Sequence, residues 1–333
     1  MRIAISLLAA LPLLSGSAFG WGCAGHQMIA LIARAHLTLA ASAAVDQLLR
    51  DNPIDPSLNR SCKERPNDLM ADSATWADDE RNVDKTTESW HFIDIPLAVL
   101  PDPGQEPDLL KWCAAQADGR PGCIVSAISH EWAILRDSRQ PAPARAQALR
   151  YVIHFLGDMA QPLHTSDNHD RGGNCTSIKF FNEEKPRNLH GIWDSQLIDR
   201  DLAADKMTQS QYAEKIDERF SGQSNGKSDI DIVGWVWESH KLAYTVTYAD
   251  LKPQIPTEPL TAGLADQEGC NAERDKIAAL NISIGDEYDA QTMPVIREQL
   301  AKAGHRLAAL INAVFLNQTF RIKPSNNRQQ LLQ

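Results

Sequence analysis

The stretch RAQALRYVIHFLGDMAQPLH, residues 145–164, decides the architecture. Leu149, Val152, Ile153 and Leu156 recur at helical spacing and the pattern ends before Pro162, which predicts a helix over Arg145–Met159. His154 and Asp158 lie four residues apart on that helix and so share a face. Outward from it, Ile29, Ile32, Ala33, Leu37, Ala40 and Leu48 make one helical run from His26 to Leu49, stopped by Asp51-Asn52-Pro53. Further helices are expected from Ile230 to Tyr248, and from Pro294, taken as a first-turn proline, to Phe315. Strand-like alternation is confined to Ser177–Phe181. The fold class is therefore mainly α-helical. Long irregular stretches at Asn52–Ala71, Pro96–Gly122 and Ser166–Asn188 are of the kind that carry function or disulfides.

Met1–Gly20 has one early positive charge at Arg2, an apolar run from Ile3 to Leu14, and small residues at Ala18 and Gly20. This reads as a signal peptide over 1–20, with a mature chain beginning at Trp21. No later apolar run reaches the ~20 residues that span a bilayer. A secreted or periplasmic location without membrane anchoring is expected. Residues 21–316 contain no linker or repeat and are read as a single catalytic domain, expected to be monomeric. The polar tail over 317–333 is assigned no function.

The six cysteines all follow the expected cleavage point, in a compartment where an even number favours disulfides. Only Cys113 with Cys123 is suggested by proximity, since Gly119, Pro121 and Gly122 can turn the chain between them. The net charge of −10 excludes a protein that grips polyanions through a basic surface. Attraction for a phosphate must come from a local source such as a bound metal.

Candidate metal ligands are numerous. His190 and Asp194 repeat the four-residue spacing of His154 and Asp158, and a single such pair is ordinarily a surface ion pair. Here two pairs are joined by His164 in QPLH, His91 in SWHFID and Asp78 in TWADD. Trp76, Trp90, Phe92, Phe155, Leu156 and Trp193 are available to pack around them. At the expected N-terminus, the Trp21 amine and carbonyl can close a chelate ring, with His26 five residues on. The imidazole-rich set favours zinc over calcium.

An N-terminal W-G-x-x-G-H followed in order by WAD, HFID, HFxGDMxQPLH, GGN and NLHxxWD closely resembles the S1/P1 nuclease family, from Trp21 to about Phe315. The resemblance implies a helical phospholipase C/P1 nuclease-like fold and three zinc ions. Asp78, His91, His154 and Asp158 would hold the first. His164, His190 and Asp194 would hold the second. The Trp21 amine and carbonyl, His26 and Asp158 would hold the third, making Asp158 a bridge. Asp78 and Asp158 are the carboxylates able to accept a proton, and Arg81 would face the phosphate. Phe92 would stack on a base, Asp94 would accept hydrogen bonds from its edge, and Gly172 and Asn174 would complete that pocket. The implied reaction is cleavage of single-stranded RNA and DNA to 5′-phosphorylated products, with 3′-nucleotidase activity as an extension.

The alternative is a zinc-dependent phospholipase C, or an enzyme of both activities acting on phospholipid as well. That family is similar in its N-terminal tryptophan and metal cluster, but its first histidine lies further from the tryptophan and its last ligand is glutamate. A zinc-binding protein without catalysis would have no need of Arg81, Phe92 and Asp94 beside the ligands. His36, His130, His169, His240 and His305 fall outside the motifs and are expected on helix surfaces, core edges or loops. Sequons stand at Asn59, Asn174, Asn281 and Asn317.

Overall fold

The computed structural model describes residues 21–221, 230–251 and 282–315. The expected signal peptide, the polar tail, Cys270 and the sequons at Asn281 and Asn317 lie outside them. The described residues are mainly helical. Helices α1 (Cys23–Ala35) and α2 (Leu39–Asp51) are followed by the short α3 (Leu69–Ser73) and α4 (Trp76–Glu80). Next come α5 (Ile124–Arg136) and α6 (Ala142–Ala160). A continuous stretch runs through α7 (Leu189–Gly191), a π-helical turn at Ile192–Gln196, and α8 (Leu197–Asp205). Helices α9 (Gln209–Phe220), α10 (Ile232–Leu242) and α11 (Asp286–Phe315) complete the set.

Helix α6 is the centre of the packing. Every residue from Ala148 to Ala160 is buried, so no solvent-facing stripe survives in its second half. Helices α1, α5, α10 and α11 all pack on it, and α1 also packs on α9 and α11. Helices α1 and α11 cross closely at Gly304. A Cβ built on Gly304 would lie 2.5 Å from Ile32 Cγ2, 2.6 Å from Ile32 Cβ and 3.1 Å from the Ile29 carbonyl oxygen.

Two helix boundaries correct the sequence reading. The run from His26 to Leu49 is two helices, because Thr38 caps α2 by accepting from Ala41 N at 3.2 Å. The periodicity crossed this corner unbroken because both helices turn apolar residues to the same core, although Leu39 at the corner is 93% exposed. The last helix begins at Asp286, so Pro294 lies inside it and not at its first turn. Acidic Asp286, Glu287 and Asp289 suit the helix start, and buried Tyr288, Thr292 and Ile296 carry its apolar face through the proline. The predicted helix at Ile230–Tyr248 is α10 continued by a π-helical turn at Ala243–Thr247.

The expected strand is β1 (Ser177–Phe180), the middle of a small sheet. It pairs antiparallel with β2 (Arg187–Asn188) and parallel with β3 (Ser283–Ile284), with Ser177 opposite Asn188 and Lys179 opposite Ser283. The Cys113–Cys123 disulfide is present, and Cys23–Cys62 ties the loop after α2 to the start of α1. Cys175 is disulfide-bonded as well. Among the described residues no helix is long and apolar enough to cross a membrane.

The Gly304 crossing is expected to be intolerant of one added methyl, because Ile32 and the Ile29 carbonyl are both held in the core. Gly304→Ala should lower stability by about 1–3 kcal/mol, read as a lower urea midpoint with an unchanged slope. An unshifted midpoint would show that α1 and α11 can separate at little cost.

Candidate metal centre

The eight ligand-type side chains picked from sequence come together in the interior. Asp78 is on α4, His91 ends a 3-10 turn at Lys85–His91, His154 and Asp158 are on α6, and His26 is on α1. His164 closes the 3-10 turn Pro162–His164 just beyond α6, His190 is on α7, and Asp194 lies in the π-helical turn. All are nearly or wholly buried. Three groups have one ligand atom from each residue within 4.8 Å of the others: His26/His154/Asp158, Asp78/His91/His154 and His164/His190/Asp194.

Asp158 sits between the first two. Its Oδ1 lies 3.2 Å from His26 Nε2, while its Oδ2 lies 2.9 Å from His91 Nδ1 and 3.1 Å from His154 Nε2. Asp78 Oδ1 is 3.6 Å from His154 Nε2 and 3.8 Å from His91 Nδ1. In the other group, His190 Nε2 is 3.0 Å from His164 Nε2 and 3.3 Å from Asp194 Oδ2.

The orientation of the rings is fixed from behind. His154 Nδ1 donates to the Ala74 carbonyl at 2.7 Å, His164 Nδ1 to the His91 carbonyl at 2.7 Å, and His190 Nδ1 to the Gly172 carbonyl at 2.6 Å. A ring that donates through Nδ1 presents a lone pair at Nε2, and here all three Nε2 atoms face other ligand atoms. His26 reaches the group because α6 carries glycine opposite it: a Cβ on Gly157 would lie 2.7 Å from His26 Nδ1. His26 and His154 stack at 4.0 Å between ring centroids.

Burial and neighbouring charge pull the groups of the cluster in opposite directions. Burial disfavours the charged form of His154, but the Asp158 and Asp78 carboxylates outweigh it and raise its pKa to about 9. His91 is lowered to about 4 and His190 to about 3, chiefly by burial. Burial, with Asp158 and Asp78 as like-charged neighbours, raises Asp194 well above the usual carboxylate range. His26 Nδ1 and Nε2, His91 Nε2, Asp78 Oδ1 and Asp158 Oδ1 are buried without a hydrogen-bond partner. Buried polar atoms of this kind, left without a hydrogen bond, are costly in a dry interior. Divalent cations would satisfy those oxygen and nitrogen lone pairs and offset the carboxylate charge, so the residues fit zinc.

Trp21 is fully buried, and its neighbour Gly22 donates through its backbone N–H to the Asp194 carbonyl at 2.6 Å. A Cβ on Gly22 would meet Ser195 Oγ at 2.1 Å, so glycine allows the approach. Arg81 is buried with its guanidinium 3.4 Å from Asp78 Oδ1. Phe92 follows His91 and is half-buried. Asp94 is exposed, and desolvation by the surrounding protein, followed by the Asp167 carboxylate, pushes its pKa up to about 7, with Arg171 opposing. Gly172 and Asn174 lie on the adjoining turn. Gly172 N donates to Asp167 Oδ1 at 3.2 Å, and the half-buried Asn174 amide donates to the Arg171 carbonyl at 2.9 Å.

Sequence reasoning missed Gln161, whose side-chain amide donates to Asp194 Oδ1 at 2.6 Å while its own oxygen accepts from Leu163 N. It also missed Asp167, which braces the turn carrying Gly172. The glutamine stood inside the QPLH motif, so position was the available signal. Among the other histidines, His240 bonds Ser166 and the Val99 carbonyl, and His169 is exposed at φ 58°.

The S1/P1 Nuclease family model matches residues 21–316. Nuclease S1 of Aspergillus oryzae is 28% identical, with 93% of this chain and 97% of that protein aligned. Endonuclease 2 of Arabidopsis thaliana is 26% identical over 95% and 96% of the two chains. Nuclease P1 of Penicillium citrinum is 25% identical over 88% and 97%. A match that begins at Trp21 and takes in all eight converging side chains leaves no part of the centre outside it, and the chain belongs to the S1/P1 nuclease family.

Proposed function

We propose that this protein is an exported zinc-dependent endonuclease that cleaves single-stranded RNA and DNA to 5′-phosphorylated products. The observation that carries the proposal is the buried convergence of His26, Asp78, His91, His154, Asp158, His164, His190 and Asp194, with unpartnered atoms at its heart. Asp78, His91, His154 and Asp158 would hold one zinc, and His164, His190 and Asp194 a second. His26, Asp158 and the Trp21 amine and carbonyl would hold a third. The divided contacts of the two Asp158 oxygens support its role as a bridge. When bound, zinc ions supply Lewis acidity, drawing charge from a phosphodiester and bringing a water pKa to about 7.

The chain's own residues orient and discriminate. Arg81, kept near the ligands by Asp78, would meet a non-bridging phosphate oxygen with a charge that never titrates away. Asp78 and Asp158 would be the carboxylates able to accept a proton from the attacking water. Phe92 would stack on a base, a contact worth about 1–3 kcal/mol and indifferent to base identity. Asp94 would accept hydrogen bonds from the base edge, with Gly172 and Asn174 completing the pocket. A pocket that needs an unstacked base favours single strands over a duplex.

The direct test is release of acid-soluble nucleotides from single-stranded RNA and DNA, beside a phosphatidylcholine assay, with chelator and zinc add-back. Chelator-sensitive release of 5′-phosphorylated products is expected. Zinc-dependent lipid cleavage with no nucleotide release would move the protein to the phospholipase C reading.

If Trp21 is both first residue and ligand, one extra residue left before it displaces the amine. Such a protein should lose one of three zinc ions by metal analysis and most of its activity. Three ions and full activity would refute that geometry.

Asp94 should make base recognition pH-dependent near neutrality. Its carboxyl is neutral below about pH 7 and anionic above, and only the anion is a strong acceptor for the N–H groups of guanine. KM for guanine nucleotides is expected to rise as pH falls from 8 to 6, and Asp94→Asn should flatten that dependence while leaving kcat little changed. An identical KM profile in the variant would exclude Asp94 from the base site.

A further inference from the structure

A second concentration of metal-binding chemistry lies at the other end of α1. His36 caps that helix ten residues beyond His26, about 15 Å along the axis. It faces Asp217 of α9 and His305 of α11. His36 Nε2 is 2.8 Å from Asp217 Oδ1 and 2.9 Å from Oδ2, and His305 Nε2 is 2.6 Å from the same Oδ1. The two imidazoles meet edge to face at 4.5 Å. We propose that His36, Asp217 and His305 form a separate zinc site with an open coordination position, which clips α1, α9 and α11 together.

The donor set is two imidazole nitrogens and a carboxylate, as in His164/His190/Asp194, and its ligand atoms also fall within 4.8 Å of one another. Tetrahedral zinc with bonds of about 2.0–2.1 Å places its donors roughly 3.3 Å apart. Opening the present contacts by about half an ångström would admit the ion, within the reach of side-chain torsions. Two imidazoles and one carboxylate suit zinc and are a poor match for calcium. His36 is 40% exposed on its side chain, against 17% for Asp217 and 11% for His305. The site therefore opens to solvent on the His36 side, where water can supply the fourth ligand.

The scaffold holds the ligands in register without help from the ion. Asn312 on α11 accepts from Thr38 N at 2.9 Å and donates to the His36 carbonyl at 3.0 Å. The backbone on both sides of Leu37 is thereby clamped to the helix that carries His305. Packing of α9 against both α1 and α11 brings Asp217 to the same point. Three donors from three mutually packed helices, two of them braced by one asparagine, are preorganised in the way that favours metal capture. The simpler arrangement, two neutral imidazoles each donating to one carboxylate, makes a definite contrary forecast: zinc would have no effect there.

The test compares zinc content of the full-length mature protein and of His36→Gln, His305→Gln and Asp217→Asn, each equilibrated with free zinc and freed of unbound metal. The proposal expects wild type to carry one equivalent more than each variant, with nuclease activity unaltered. It also expects added zinc to raise the wild-type melting temperature by a margin that the variants lack. Asp217→Asn keeps size and hydrogen bonding, so it guards against a histidine variant that misfolds. Equal zinc content in wild type and any folded variant overturns the proposal. Because the readout is a difference between proteins sharing one catalytic centre, it stands whatever that centre cleaves.

Discussion

Burying the Asp158 carboxylate in the last turn of α6 costs several kcal/mol unless opposite charge is brought to it, and much of the surrounding architecture does this. The side chain has no exposed surface. His26, His91 and His154 contact it directly, and His164 lies 3.9 Å away. Burial raises the pKa of such an acid, but His154 and His164 reverse the effect and hold Asp158 well below the usual carboxylate range. Three of the four partners reach this carboxylate only because three separate segments, α1, the 3-10 turn ending at His91 and the turn after α6, are packed against the helix that carries Asp158 and His154.

That constraint explains features of the fold that otherwise look unrelated. Gly157 within α6 would ordinarily cost up to about 1 kcal/mol relative to alanine, yet it leaves room for the His26 ring. The π-helical turn at Ile192–Gln196 sets Asp194 against Gln161, a departure from regular helix of the kind found at functional sites. Tyr288 at the start of α11 accepts from Trp193 Nε1 and donates to the Thr247 carbonyl, linking the two π-helical turns to the longest helix.

Much of this was legible in the sequence, for identifiable reasons. The central helix and its His154–Asp158 pair could be read because apolar period and the spacing of the pair obey the same 3.6-residue repeat. The remaining candidate ligands, which the structure brings together, were singled out through the order of short motifs. The corner at Thr38 was not, because periodicity reports which face is buried and not whether the axis bends. The start of α11 was missed because a proline that usually opens a helix was given more weight than the buried Tyr288 and Thr292 before it. Gln161, the Cys23–Cys62 bond and the meeting of His36, Asp217 and His305 depend on tertiary proximity across tens to hundreds of residues, which no local pattern records.

The carbonyls behind His154, His164 and His190 belong to Ala74, His91 and Gly172, and they are backbone groups. Substitution at residue 74 leaves that acceptor in place so long as the chain follows the same path. Gly172 is the exception, since its φ of 58° and a Cβ contact of 2.5 Å with the Leu163 carbonyl restrict the position itself. The aiming of the rings is thus inherited through chain trajectory more than through side-chain identity. A chain that keeps this path can change side chains widely around the centre and still point the same nitrogens inward.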